Sequence, residues 1–150
     1  MIMPTLFEQI GEATKLAMKA RERDRVAALR LITSEVRRVE IDKRITLDDA
    51  AVVSVLARMV KQRNDSITQY QRAGRDELAA IEQYEIDVIL SFMPQPLSEA
   101  ELEAAVAKAV TGIEGGMQSM GKVMAVLKPV VEGRADMGRV SALVKKALAS

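Results

Sequence analysis

Cysteine, histidine and tryptophan are all missing from the 150 residues. Without the first two there is no disulfide, no Cys/His zinc site, no thiol nucleophile and no imidazole general base. Aromatic residues make up only 3% of the chain, two Tyr and two Phe. A core must therefore come from Leu, Val, Ile, Ala and Met, and little exposed ring surface remains for stacking nucleic-acid bases. No apolar run approaches the roughly 18 uncharged residues of a membrane span, and the first residues carry no basic-then-apolar signal pattern. A chain without cysteine suits a reducing compartment. The expectation is a cytoplasmic protein with no membrane partner.

What is present is an ordinary globular balance, 49% apolar and 29% charged, in a length that suits one domain or two small ones. The periodicity is helical throughout, and no strand pattern or internal repeat stands out. Pro4-Thr5 opens a first helix, roughly Leu6 to Ala20, with Leu6, Ile10, Ala13, Ala17 and Ala20 on one side. Asp24 is a plausible cap for a second, carrying Leu29, Ile32, Val36 and Val39 and ending near Asp42 to Arg44. Thr46-Leu-Asp-Asp49 starts a long third helix that Gly74 closes, with a stripe of Val53, Leu56, Val60, Arg63, Ile67 and Tyr70. Asp76 is expected to cap a fourth, with Leu78, Ile81, Glu85, Ile89 and Phe92 on one side.

Arg63 and Glu85 are the odd members of two neighbouring apolar stripes, and we expect them to form a structural ion pair, half-buried or buried. The competing expectation is that both side chains snorkel to the rim.

Met93-Pro-Gln-Pro-Leu97 cannot lie inside a helix and marks a boundary. The expected organisation is an all-α protein of two small helical domains. A four-helix N-terminal part covers 1–93, a Pro-rich hinge 94–97, and a three-helix C-terminal part 98–150. Ser98-Glu-Ala-Glu101 reads as a capping box. Ser119 is expected to cap a short helix, Met120 to Val131, with Pro129 bending its last turn. Gly133 ends that helix, and Asp136 caps the last one, whose buried face is Val140, Leu143, Val144 and Leu148.

Candidate chemistry is sparse. Gly116-Met-Gln-Ser-Met-Gly121-Lys122-Val123 has the glycine and lysine spacing of a phosphate-binding loop. It has Val123 where a magnesium-binding hydroxyl is needed, however, and it follows a helix instead of a strand. The acidic pairs at Asp48-Asp49 and Glu99 to Glu103 decorate first turns of helices and lack metal-ligand spacing. No catalytic centre, metal site or cofactor site emerges.

Charge distribution says more. Net charge is only +1, so a nucleic-acid surface would have to be local. Residues 1–92 balance. After Ser119 stand Lys122, Lys128, Arg134, Arg139, Lys145 and Lys146 against only Glu132 and Asp136. These six are the candidate RNA-binding residues, contacting phosphates and shape more than bases. Arg134 lies in a turn beside two helix ends, where backbone N–H groups favour anions. The plain alternative is a solvated basic helix face.

Several stretches together resemble the GatB/YqeY family in order and spacing. They are Leu29-Arg-Leu-Ile-Thr-Ser-Glu35, Val60-Lys-Gln-Arg-Asn-Asp-Ser66 with Tyr70 and Ala73-Gly-Arg75, Phe92-Met-Pro94 with Leu97-Ser98, and Met120-Gly-Lys-Val-Met124 followed by Gly133-Arg-Ala-Asp136. The chain looks like the stand-alone YqeY type. The family often has Asp where this chain has Ser119, and Gly-Lys where it has Met137-Gly138-Arg139. The resemblance implies a helical N-terminal domain and a three-helix C-terminal one similar to the tail of the B subunit of tRNA-dependent amidotransferase, which helps hold tRNA. It implies a tRNA-binding accessory module, with tRNA as the expected partner and no small-molecule cofactor. Two alternatives stay open. One is a protein-interaction adaptor for an aminoacyl-tRNA synthetase or amidotransferase subunits. The other is part of a carbon–nitrogen ligase with glutamine as amido-N-donor, active only in complex.

Overall fold

The structure, a computed structural model, describes residues 3–149. The described residues are all-α, with seven α-helices and one 3-10 turn. The helices are α1 (Leu6–Lys19), α2 (Arg23–Lys43), α3 (Asp49–Arg72), α4 (Asp76–Leu90), α5 (Glu99–Thr111), α6 (Met120–Val131) and α7 (Met137–Ala149), and the 3-10 turn is Met117–Ser119. The chain divides between Met93 and Pro94 into two compact units, each with its own core.

In the first unit the core gathers Ile10 and Ala17 from α1, Leu29, Ile32, Val36 and Val39 from α2, Val52, Val55, Leu56 and Met59 from α3, and Val88 and Ile89 from α4. The α2 residues keep the i, i+3, i+7 spacing that puts them on one face. Each large aliphatic side chain buried this way stabilises by about 1.5–3 kcal/mol. On α3 the buried strip runs through Val52, Val55, Leu56 and Met59, while Val53, Val60, Ile67 and Tyr70 are only half-buried. The expected stripe is therefore off-centre. α3 packs on α1 and α2 as well as α4, so its apolar face is set by several neighbours at once. Ile81 on α4 departs further and is 57% exposed. The first half of α4 buries only Ala79, and its burial resumes at Ile86.

Caps decide the boundaries. Thr5 accepts from Glu8 N (3.1 Å), and Asp48 accepts from Ala51 N (2.9 Å). Asp49 Oδ1 accepts from Leu6 N (2.9 Å), tying the start of α1 to that of α3. Asp24 and Asp76 do not cap. Both lie within the first turn, and the cap positions fall to Glu22 and Arg75 without a side-chain bond. An Asp in either place suits the helix dipole, so sequence alone does not separate them.

Three helix ends in this unit share one device, in which the residue just past the helix adopts a left-handed conformation and the next N–H reaches back five residues. At Gly74 (φ 70°), Arg75 N donates to Tyr70 O. At Arg21 (φ 59°), Glu22 N donates to Ala17 O, and at Arg44 (φ 56°), Ile45 N donates to Glu40 O. Two arginines thus occupy positions where glycine is the comfortable residue.

The second unit packs Leu102, Val106 and Ala109 of α5 on Val123, Leu127 and Val131 of α6 and on Val140 and Val144 of α7. Leu143 and Leu148 of α7 are only half-buried. Ser98 and Glu101 form a reciprocal capping box, both bonds 3.1 Å. Asp136 caps α7 by accepting from Arg139 N (2.9 Å). Ser119 does not cap α6. Its buried hydroxyl donates to Glu114 O at 2.7 Å, closing the Gly115-Gly116 loop on itself. Gly115 sits at φ 109° against that hydroxyl, which leaves no room for a Cβ. Pro129 lies in the last turn of α6, which ends two residues later.

Candidate nucleic-acid interface

The six basic candidates lie on α6, on α7 and in the turn between them, a segment shaped by three local rules. Val123, Leu127 and Val131 turn one face of α6 to the core. Lys122 and Lys128 lie outside that face and are exposed. They are six residues apart, which at about 100° per residue places them roughly 120° apart around the axis, on different sides of the helix. On α7, Val140 and Val144 face inward and Lys145 and Lys146 are exposed, Lys146 in the last turn, where the helix dipole favours positive charge. Lys122 has the opposite setting, a cation in the first turn of α6 with no carboxylate beside it.

The two arginines are engaged within the unit. Arg134 Nε donates to Gln95 O at 2.8 Å, while its own carbonyl accepts from Leu97 N, also at 2.8 Å. These bonds lock the turn after Gly133 (φ 75°) against the segment before α5. Arg139 pairs with Glu99 through both Nη2 and Nε, the latter at 3.1 Å. The hydrogen bonds it donates to Glu99 hold the Arg139 guanidinium above its usual range. On the other side of the same turn, bonds to the Ser98 backbone and hydroxyl hold the Glu101 carboxyl below the usual carboxylate range.

The arrangement separates roles among the six. Arg134 and Arg139 hold the turn and anchor α7 to the start of α5. Lys122, Lys128, Lys145 and Lys146 project from the outer surfaces of two packed helices. The N-terminus of α7 already has an anion in the Asp136 carboxylate. Sequence reading missed the partners of both arginines because Gln95 and Glu99 stand 39 and 40 residues away.

Arg63 of α3 and Glu85 of α4 belong to the first unit. Arg63 Nε is 3.5 Å from Glu85 Oε1 and 4.0 Å from Glu82 Oε2, with all three side chains 15–22% exposed. Arg63 Nη1 also donates to Met59 O at 3.4 Å, while its Nε has no hydrogen-bond partner. Burial pushes the Glu85 carboxyl up, against the opposing pull of Arg63. Among the described residues no acidic cluster is placed to hold a metal ion, and no helix is long and apolar enough to cross a membrane.

The family model for Yqey-like protein matches residues 7–148, both units together. The chain belongs to the YqeY family. Its relatives include proteins named "Altered inheritance of mitochondria protein 41, mitochondrial". One from Pyrenophora tritici-repentis is 27% identical over 81% of this chain and 68% of its own length. Those from Lachancea thermotolerans and Eremothecium gossypii are 31% and 34% identical over 71% and 63% of this chain. This YqeY chain spans 58% and 53% of the length of the latter two. The family match runs through both arginine-locked segments of the turn and the lysine-bearing helices alike.

Proposed function

We propose that the chain is a tRNA-binding accessory module working in the cytoplasm, with the C-terminal unit as its RNA surface. The observation that supports this best is the division of labour among the basic residues. Arg134 and Arg139 fix a turn, and Lys122, Lys128, Lys145 and Lys146 stand exposed on the two helices that flank it. Lysines on rigid helices act as point charges toward phosphate, fixing position without reading bases. Arg134 and Arg139 also offer their remaining N–H groups at the turn. The near absence of exposed rings suits a folded RNA recognised by shape and backbone.

Binding of purified chain to total tRNA at two salt concentrations tests the reading. The Lys122→Ala/Lys145→Ala variant should bind more weakly, with the slope of log affinity against log salt reduced by about 1.5–2. An unchanged slope, or no binding at low salt, overturns it.

A second reading, an adaptor that docks on a synthetase or amidotransferase subunit, draws on Ile81 and Tyr84. Both are exposed on α4, at 57% and 40%. Ile81→Lys would abolish such docking and leave tRNA affinity unchanged.

A further inference from the structure

The corner between α1 and α2 gathers three arginines that have no acidic partner. Arg21, Arg23 and Arg30 line one hollow of about 520 Å³ with Met18, Val26 and Ala27. No carboxylate lines it. Among the described residues Arg30 Nη2 lies 4.0 Å from Met18 Sδ, and none of the three forms an ion pair. Six other arginines are engaged within the protein. Arg38, Arg63, Arg75 and Arg139 face carboxylates, Arg134 donates to a carbonyl, and Arg37 lies over the Phe7 ring. Three guanidinium groups on one exposed hollow with no carboxylate in its lining offer an anion several charged donors at once.

Arg21 adds an independent observation. It holds the left-handed position that closes α1 (φ 59°), where glycine would cost less. The side chain placed there at the expense of backbone comfort is one that lines the hollow. Strain kept in an exposed turn points to a use for the side chain.

The walls narrow the ligand. Guanidinium forks match phosphate oxygens, and three forks suit the three free oxygens and near-double charge of a phosphate monoester better than the two oxygens of a single carboxylate. The rest of the lining is aliphatic and thioether, with no ring to stack a base. We propose that this hollow binds an aliphatic phosphate monoester, the phosphate held by Arg21, Arg23 and Arg30 and the hydrocarbon lying on Met18, Val26 and Ala27. The hollow belongs to the first unit, and the proposal does not rest on the tRNA reading.

Calorimetric titration of the full chain with hexyl phosphate and with inorganic phosphate tests it. Hexyl phosphate should bind about tenfold more tightly than inorganic phosphate, since only the ester reaches the apolar wall. Arg30→Gln and Arg21→Gly should each weaken hexyl phosphate by about tenfold or more, the usual effect of losing a charge-assisted hydrogen bond. Arg21→Gly suits the left-handed turn, so its loss of binding cannot be loss of fold. Arg38→Gln, which removes an arginine already paired, should change nothing. Sedimentation with phosphatidylcholine vesicles containing phosphatidic acid identifies the source of the phosphate. Arginine-dependent co-sedimentation assigns a lipid headgroup, and protein left in the supernatant assigns a soluble ester; the site stands in either case. Equal affinity for the two phosphates, equal loss in the Arg38→Gln control, or parallel loss of tRNA and hexyl phosphate binding in the Arg21 and Arg30 variants overturns the proposal.

Discussion

The two units handle charge in opposite ways. In the first, Arg63 lies between Glu82 and Glu85 in a half-buried seam where α3 meets α4. In the second, the corresponding pair, Arg139 with Glu99, sits in solvent at 50% and 55% exposure. The seam places charge where desolvation is felt, so its members depend on one another. The surface pair places charge where water screens it, so it orients a turn more than it stabilises one. Position relative to the core decides whether an ion pair acts as a structural commitment or a guide.

The contrast is broken most severely from below. Leu56 and Leu127 are both fully buried, one in each core. Leu56→Ala and Leu127→Ala should each cost about 2–5 kcal/mol in chemical denaturation. Amide exchange should show the loss concentrated in the unit that carries the substitution.

The seam comes next. Arg63→Met leaves two acidic side chains facing each other, and we expect a cost of about 1–3 kcal/mol, less than for a fully buried pair because the residues retain some exposure. A double-mutant cycle of Arg63→Met with Glu85→Gln should give clear coupling; zero coupling energy would make the seam a pair of independent rim charges. At the helix ends, Arg44→Gly should raise stability by about 1 kcal/mol, a gain read as a higher denaturation midpoint.

The smallest effects are those of pH, and they differ in sign between Glu85 and Glu101. Burial raises the Glu85 carboxyl, so its ionisation opposes folding above that raised pKa. The penalty disappears as pH falls through it toward the ordinary glutamate range. The Ser98 bonds lower the Glu101 carboxyl, so its contribution is complete above the ordinary range and is lost as pH falls through the lowered folded value. Glu35 behaves like Glu101, through its hydrogen bond with Arg38. Glu101→Gln should flatten the acid side of the stability profile, and Glu85→Gln the side just above the ordinary range. Matching profiles for the two variants would remove the distinction.

Much of the fold was legible because its signals are local. The α2 stripe, the Ser98–Glu101 box and the Asp136 cap each need only a few consecutive residues. Asp24 and Asp76 misled because a first-turn Asp and a capping Asp satisfy the same dipole. Ser119 misled because its hydroxyl closes a loop behind it, a choice made by the backbone of Gly115 and Gly116. Arg21 and Arg44 gave no sign of left-handed turns, whose usual marker is glycine. The candidate site was legible only as a list of basic residues. That Arg134 and Arg139 are already engaged depends on contacts across about 40 residues of chain, which no local pattern carries.

The most extensive helix pairings are α3 with α4 and α1 with α2, consecutive hairpins joined by three-residue turns at 20–22 and 73–75. Contacts so close in sequence cost little loop-closure entropy and favour rapid folding. On a ribosome, α1 could find α2 as soon as both had emerged, before α3 was complete. The α3–α4 hairpin could then close around its Arg63 seam as a second step. Left-handed residues, Arg21 and Gly74, stand at the hinges of the two early events, so the order of synthesis and the order of assembly would run together through the first unit.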